Sequence, residues 1–229
     1  VTITGVAKGS GMISPNLATM LAFIMTDVNI DKKLLRFAAK EAVDRSFNKI
    51  TVDGDMSPND SVFVLANGMA GNREIKKTDA DFRKISDSFN EIFYALACDV
   101  IRDAEGATKF IKINVNNAKN AMQAKIIARA VANSLLVKTA FFGCSLNFGR
   151  IISAVGSTGQ DVNVYNVDLK INGIAAFEKQ KIINENQVSR EMKKRDIILD
   201  INLKSGNAKD FILTNDISYD YVKINADYT

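Results

Sequence analysis

No histidine occurs anywhere among the 229 residues. That absence excludes Ser-His-Asp and Cys-His activation of a nucleophile built from this chain alone, together with the usual histidine-bearing zinc sites. If the chain performs acyl chemistry, its base is something else. Cysteine is scarce as well. Cys98 and Cys144 stand alone, neither in a C-x-x-C, so there is neither a disulfide framework nor a metal-ligand spacing, and both read as buried or neutral thiols. Long apolar runs are missing: Met20 to Met25 falls far short of the ~20 residues that cross a bilayer, and no signal-peptide pattern opens the chain, so a cytoplasmic, membrane-free setting is the expectation. No repeat, low-complexity tract or Pro/Gly-rich linker divides the sequence, and no second domain is indicated. The net charge of +4 is mild, and the densest basic run, Arg190 to Asp196, contains acids and no interleaved aromatics. It reads as a solvated turn rather than a nucleic-acid surface. The first residue is Val1 rather than methionine, which points to a piece of a longer gene product.

What is present is 47% hydrophobic, enough to bury a sizeable core. "KGSGMISPNLATMLAFIMTD" (Lys8 to Asp27) joins a loop bent by Gly9, Gly11 and Pro15 to an apolar strand or helix. From local pattern two readings stand: an ordinary loop entering a buried element, or a bent Ala18-Thr19 peptide bond beside a hydroxyl. Asp31 to Asn48 repeats Leu34, Leu35, Ala38, Ala42 and Val43 at helical spacing, and Asp79 to Arg102 keeps Phe82, Ile85, Phe89, Ile92, Phe93, Leu96 and Val100 on one face. Asn59 or Asp60 reads as the cap of a helix through "SVFVLANG". "KFIKINVNN" alternates like a strand and "NAMQAKIIARAVANSLLVKTA" returns to helical spacing. Beyond Asp161 the pattern is strand-rich, with "VNVYNVDLKI", a hairpin turn at Asn172-Gly173, "DIILDINLK" and the terminal "DYVKINADYT". The expected fold class is α+β, in layers.

Several stretches tempt a chemical reading. "DGDMSPND" spaces Asp53, Asp55 and Ser57 like calcium ligands, yet Pro58 stands where that loop needs glycine and the twelfth position lacks glutamate, so a turn followed by a helix cap is the reading. "GSG" at Gly9 to Gly11 lacks the spacing of a phosphate-binding loop. "DAEGATKF" places Glu105 ahead of a strand, and "KTAFFGCSLNFGRI" fits a tight turn before a short helix.

Taken together, "GVAKGSGMISPNLATMLAFIMTD", "TVDGDMSPND", "EGATKF", "VKTAFFG", "GRI" and "YVKINADYT" resemble the motifs of the ornithine acetyltransferases, the self-cleaving enzymes of the cyclic arginine pathway. The resemblance runs in the family's order from about Gly5 to the last residue. It implies the family's layered α/β sandwich, shared with self-processing amidohydrolases. It implies that residues 1–18 are the tail of an α chain and residues 19–229 a catalytic β chain, assembled as an α2β2 heterotetramer. In that family the precursor cuts itself before the threonine that corresponds to Thr19, which then serves as nucleophile. By the same resemblance Lys8, Thr19, Glu105, Asn225 and Thr229 contact substrate, an acetyl group moves from N-acetylornithine to glutamate, and no cofactor or metal is needed. Whether acetyl-CoA also donates is left open. The oxyanion-hole Thr-Gly pair belongs to the amino-terminal half, absent here. Where the family usually continues from "FG" to an acidic residue, proline, asparagine and tryptophan, this chain has Ser145, Leu146, Asn147 and Phe148. Two other readings stand beside this one: a related self-processed amidohydrolase or aminopeptidase, and an inactive scaffold.

Overall fold

The structure, a computed structural model, describes residues 1–14, 20–56 and 59–227. The chain divides into two compact units, Val1–Asp103 and Ala104–Thr229. The sequence read as a single domain because the division falls directly behind a helix, with no change of composition to mark it.

In the first unit, strands β1 (Ile3–Lys8), β2 (Leu21–Thr26) and β3 (Ser61–Ala66) form one sheet in that order, with helices α1 (Lys32–Arg45) and α2 (Ala80–Arg102). β1 runs antiparallel to β2, from Ile3 opposite Thr26 to Lys8 opposite Leu21. The amphipathic periods of α1 and α2 are those of the sequence, and each helix is capped by an aspartate: Asp31 accepts the N–H groups of Lys33 and Leu34, and Asp79 those of Asp81 and Phe82. Phe89 and Phe93, fully buried, stack with ring centroids 5.9 Å apart and make the centre of this core. On the sheet, Ala22 and Ile24 are buried while Val6, Phe23, Met25, Phe63 and Leu65 are exposed. The helix expected over "SVFVLANG" is instead β3, parallel to β2 in register from Leu21 opposite Ser61 to Thr26 opposite Ala66. Its β-branched and aromatic residues prefer a pleated surface, and a partner strand forty residues away outweighs the local cap signal.

The second unit is a six-stranded sheet in the order β7-β6-β5-β8-β4-β9. Its strands are β4 (Phe110–Ala118), β5 (Asp168–Ile171), β6 (Ile174–Glu178), β7 (Lys181–Ile182), β8 (Asp196–Asn202) and β9 (Ala208–Asn215). Helices α3 (Ala121–Asn133), α4 (Leu135–Phe142), α5 (Phe148–Gly156) and α6 (Glu185–Met192) pack with the buried residues of these strands: Ile111, Ile113, Leu169, Leu199 and Ile201 meet Ile127, Val131, Phe141, Val155 and Met192 in one core. The hairpin at Asn172-Gly173 joins β5 to β6, both residues at positive φ. The expected terminal strand is a helix, α7 (Tyr219–Ala226), in which the Oγ of Ser218 caps the N–H of Tyr221. The run "REMKKRD" ends α6 rather than lying wholly in a turn. The layered α+β class holds; among the described residues there are two sheets and seven α-helices.

Candidate functional site

Three of the predicted site residues, Ala18, Thr19 and Thr229, lie outside the described residues. One loop holds both flanks of the Ala18-Thr19 segment. Upstream, the carboxylate of Asp53 accepts the N–H of Met12 at 2.6 Å and that of Ile13 at 3.1 Å. The carbonyl of Ile13 accepts the N–H of Val52 at 2.8 Å and the hydroxyl of Thr51 at 3.2 Å. Downstream, Oδ1 of Asp60 accepts the N–H of Met20 at 2.6 Å, and the carbonyl of Met20 accepts the N–H of Ser61 at 3.0 Å. "TVDGDMSPND" therefore holds both ends of the segment, and the expected helix cap at its end leads instead into β3. Sequence reasoning missed this role. The available signal was an aspartate at each end of a turn-forming stretch.

The two carboxylates are not equivalent. Both oxygens of Asp53 are engaged, since Oδ1 also accepts the N–H of Asp55. Oδ2 of Asp60 is buried with no hydrogen-bond partner among the described residues. Burial pushes the Asp60 carboxyl above the ordinary carboxylate range, and the Met20 N–H offsets this only in part. Lys8 closes β1 and is exposed.

In the second unit the structure brings Glu105 and Asn225 together: Nδ2 of Asn225 donates to Oε2 of Glu105 at 3.0 Å. A polar network lies behind them. Ser218 Oγ donates to the carbonyl of Gly106 at 2.6 Å, tying the start of α7 to the "EGATKF" turn. The fully buried Asp216 accepts the N–H groups of Thr108 and Lys109, each at 2.9 Å, and the Thr108 hydroxyl. Lys138, of "VKTAFFG", is 1% exposed, and its ammonium donates to Thr214 Oγ1 at 2.7 Å and to the carbonyl of Asn215 at 2.5 Å. A buried cation is tolerated where oxygens replace its water, and here they come from the residues leading into Asp216. The motif lysine thus supports the turn that carries Glu105. In "GRI", Arg150 donates to the carbonyl of Leu136 at 2.8 Å and fastens α5 to α4. In the stretch that departs from the family pattern, Asn147, at the family's asparagine, caps α5, and the departing Phe148 stacks on Phe177 at 4.9 Å.

A family model, the ArgJ family, matches residues 1–229 of this chain. The chain belongs to the ArgJ family. It is 46% identical over 230 residues to the arginine biosynthesis bifunctional protein ArgJ of Listeria monocytogenes, a match covering 100% of this chain and 58% of that protein. The ArgJ of Geobacter sulfurreducens is 43% identical over 230 residues, covering 99% of this chain and 58% of that protein. Among solved structures, a crystal structure of ArgJ from Bacillus halodurans superposes with a TM-score of 0.84 at 36% identity, covering 90% of this chain and 98% of that one. The α+β fold is thus that of ArgJ. This chain spans about 58% of the length of the curated relatives it matches.

Proposed function

We propose that this chain is part of a self-cleaving acetyltransferase of arginine biosynthesis that moves an acetyl group from N-acetylornithine to glutamate. The observation that carries the reading is the match, over essentially the whole of this chain and 58% of theirs, to relatives named as bifunctional arginine biosynthesis proteins. In the first reaction Thr19 Oγ attacks the Ala18 carbonyl, giving an N-to-O acyl shift, and water then hydrolyses the ester. Residues 1–18 become the tail of an α chain and residues 19–229 the β chain. The cut frees an α-amine with an intrinsic pKa of about 7.7 to 8.0, a base that needs no histidine.

Thr19 then attacks the acetyl group of N-acetylornithine and ornithine leaves; glutamate takes the acetyl group from the acetyl-threonine and departs as N-acetylglutamate. The ammonium of Lys8 suits a substrate carboxylate and Glu105 suits a substrate amine, with Asn225 and Thr229 as further contacts. No cofactor enters, though acetyl-CoA is a candidate second donor. Partners are the α chain, in an α2β2 assembly, and the setting is the cytoplasm. Val6, Phe23, Met25, Phe63 and Leu65 form an exposed apolar face of the kind that marks an interaction surface. Among the described residues no helix is long and apolar enough to cross a membrane.

The test is acetyl-labelled N-acetylornithine given to the processed enzyme without glutamate. The label should appear on the peptide beginning at Thr19, and added glutamate should discharge it as N-acetylglutamate. A label that never appears there overturns the covalent mechanism; one that water discharges as fast as glutamate does replaces the transferase with a hydrolase. Glu105→Ala should lower kcat/KM by about one to two orders of magnitude, the worth of a charge-assisted hydrogen bond of roughly 1.5 to 3 kcal/mol, while self-cleavage proceeds normally. An unchanged kcat/KM would remove Glu105 from the site.

A further inference from the structure

Asn-Gly pairs occupy two turns, Asn67-Gly68 directly behind β3 and Asn172-Gly173 between β5 and β6. Glycine has no Cβ to keep its amide nitrogen away from the asparagine side chain before it, so both pairs hold the same latent chemistry. The fold treats them differently. At Asn172 both ends of the side chain are tied: Oδ1 accepts the N–H of Ile198 at 2.7 Å, and Nδ2 donates to Oε2 of Glu191 at 2.8 Å. Asn67 is exposed. Its Oδ1 accepts the N–H of Met69 at 3.0 Å, while its Nδ2 and the N–H of Gly68 have no partner among the described residues. The turn is fastened at its ends, where the N–H of Asn67 donates to the carbonyl of Thr26 at 3.2 Å and that of Ala70 to the carbonyl of Asp27 at 2.8 Å. Between them Met69 is 78% exposed. Such a loop tip opens at little cost. The Met69 bond favours the same chemistry, because it folds the side-chain carbonyl back over the main chain and sets a donor on the oxygen that gathers charge when the carbon is attacked.

We infer that Asn67 is a site of self-modification by deamidation. The Gly68 nitrogen gives its proton to solvent base and attacks Cγ of Asn67. The new N–Cγ bond forms, the Cγ–Nδ2 bond breaks, and Nδ2 leaves as ammonia with a proton from water. Water then opens the cyclic imide at either of its carbonyls. Breaking the N–Cγ bond leaves aspartate at position 67, and breaking the original peptide bond leaves isoaspartate, with the chain rerouted through the side-chain carbon. One water is consumed and one ammonia released, with no change of oxidation state. The isoaspartate product lengthens the main chain between the Asn67 and Ala70 anchors and loosens the turn at the end of β3.

The test follows both pairs in one sample. The full chain is held folded in mildly alkaline buffer, and peptides bearing Asn67 and Asn172 are followed over time by chromatography and mass spectrometry. The Asn67 peptide should convert to two isomeric acids at least about tenfold faster than the Asn172 peptide, whose side chain must first break two hydrogen bonds. In urea, where neither turn survives, the two rates should converge. An Asn67 peptide that stays intact in the folded chain, or converts no faster than that of Asn172, would overturn the assignment. A rate ratio that persists in urea would overturn it as well, since the fold would then not be its cause. A single acid product in place of two would replace the imide route with direct hydrolysis and exclude Gly68 as the attacking group.

Discussion

Thr19→Ala in the full-length precursor should give a folded, uncut and inactive protein. One hydroxyl is assigned two tasks, opening the Ala18-Thr19 bond and then carrying the acetyl group, and the chain holds no histidine to activate another in its place. Removing a covalent nucleophile typically lowers turnover by on the order of ten-thousand-fold or more. Here the loss is doubled, because without the cut the α-amine that serves as base is never released. Intact mass and circular dichroism check the two halves of this expectation. Normal processing in the alanine variant would eliminate the mechanism. Thr19→Ser should keep part of both activities, since it retains the oxygen and loses only the methyl group that restricts its rotamer.

The second large effect is expected at Gly106, beside Glu105. Its φ of +62° lies in the left-handed region, and a Cβ there would stand 2.3 Å from the backbone nitrogen of Tyr221 and 2.9 Å from the carbonyl carbon of Asp220. Those are main-chain atoms at the start of α7, so no side-chain rotation relieves the clash. Gly106→Ala would add a left-handed alanine, about 1 to 2 kcal/mol, to an overpacking cost of about 1 to 3 kcal/mol. For a unit of this size the melting temperature should fall by on the order of 10 °C. Relief requires α7 to move off the turn, which breaks the Ser218 bond to the Gly106 carbonyl and parts Asn225 from Glu105. Activity should therefore fall beyond the loss in Glu105→Ala, while self-cleavage, which depends on the other unit, continues. An alanine variant with unchanged melting and unchanged kcat/KM would show that α7 is not held by this close approach.

The long helices were legible in the sequence because burial imposes a 3.6-residue period that neighbours alone display. α1 and α2 begin at aspartates that any reader of caps would choose. β3 was hidden because its parallel pairing with β2 depends on residues forty positions away, while Asn59 and Asp60 imitate a local cap. α7 was hidden for the opposite reason: Tyr, Val and Ile favour strands, yet Ser218 caps a single exposed helix against the Gly106 turn. The candidate site divides in the same way. Lys8, Glu105 and Asn225 could be named from motif resemblance, and the hydrogen bond between the last two spans 120 residues of chain. The clamps of Asp53 and Asp60 have no periodic signature, because a carboxylate that accepts an amide about forty residues upstream shows in sequence only as an aspartate at each end of a turn-forming stretch, with nothing to name its partner.

The pairing of β1 with β2 bears on how such a protein could be taken apart. Before a cut at Ala18-Thr19, the two strands are neighbours joined by a short connection, and their separation is reversed within one molecule. Were the chain cut there, β1 would belong to a different polypeptide from β2 and β3, held by the six-residue ladder from Ile3 to Lys8 and by the close seat of Gly5 against Ile24 of β2 and Leu96 of α2. The folded form need not change. The return path does, because the high effective concentration supplied by the connection is gone and the strand must find its slot by diffusion from solution. Maturation would thereby turn a self-contained hairpin into a one-way lock, with refolding that depends on concentration and an operational stability set by how slowly β1 leaves.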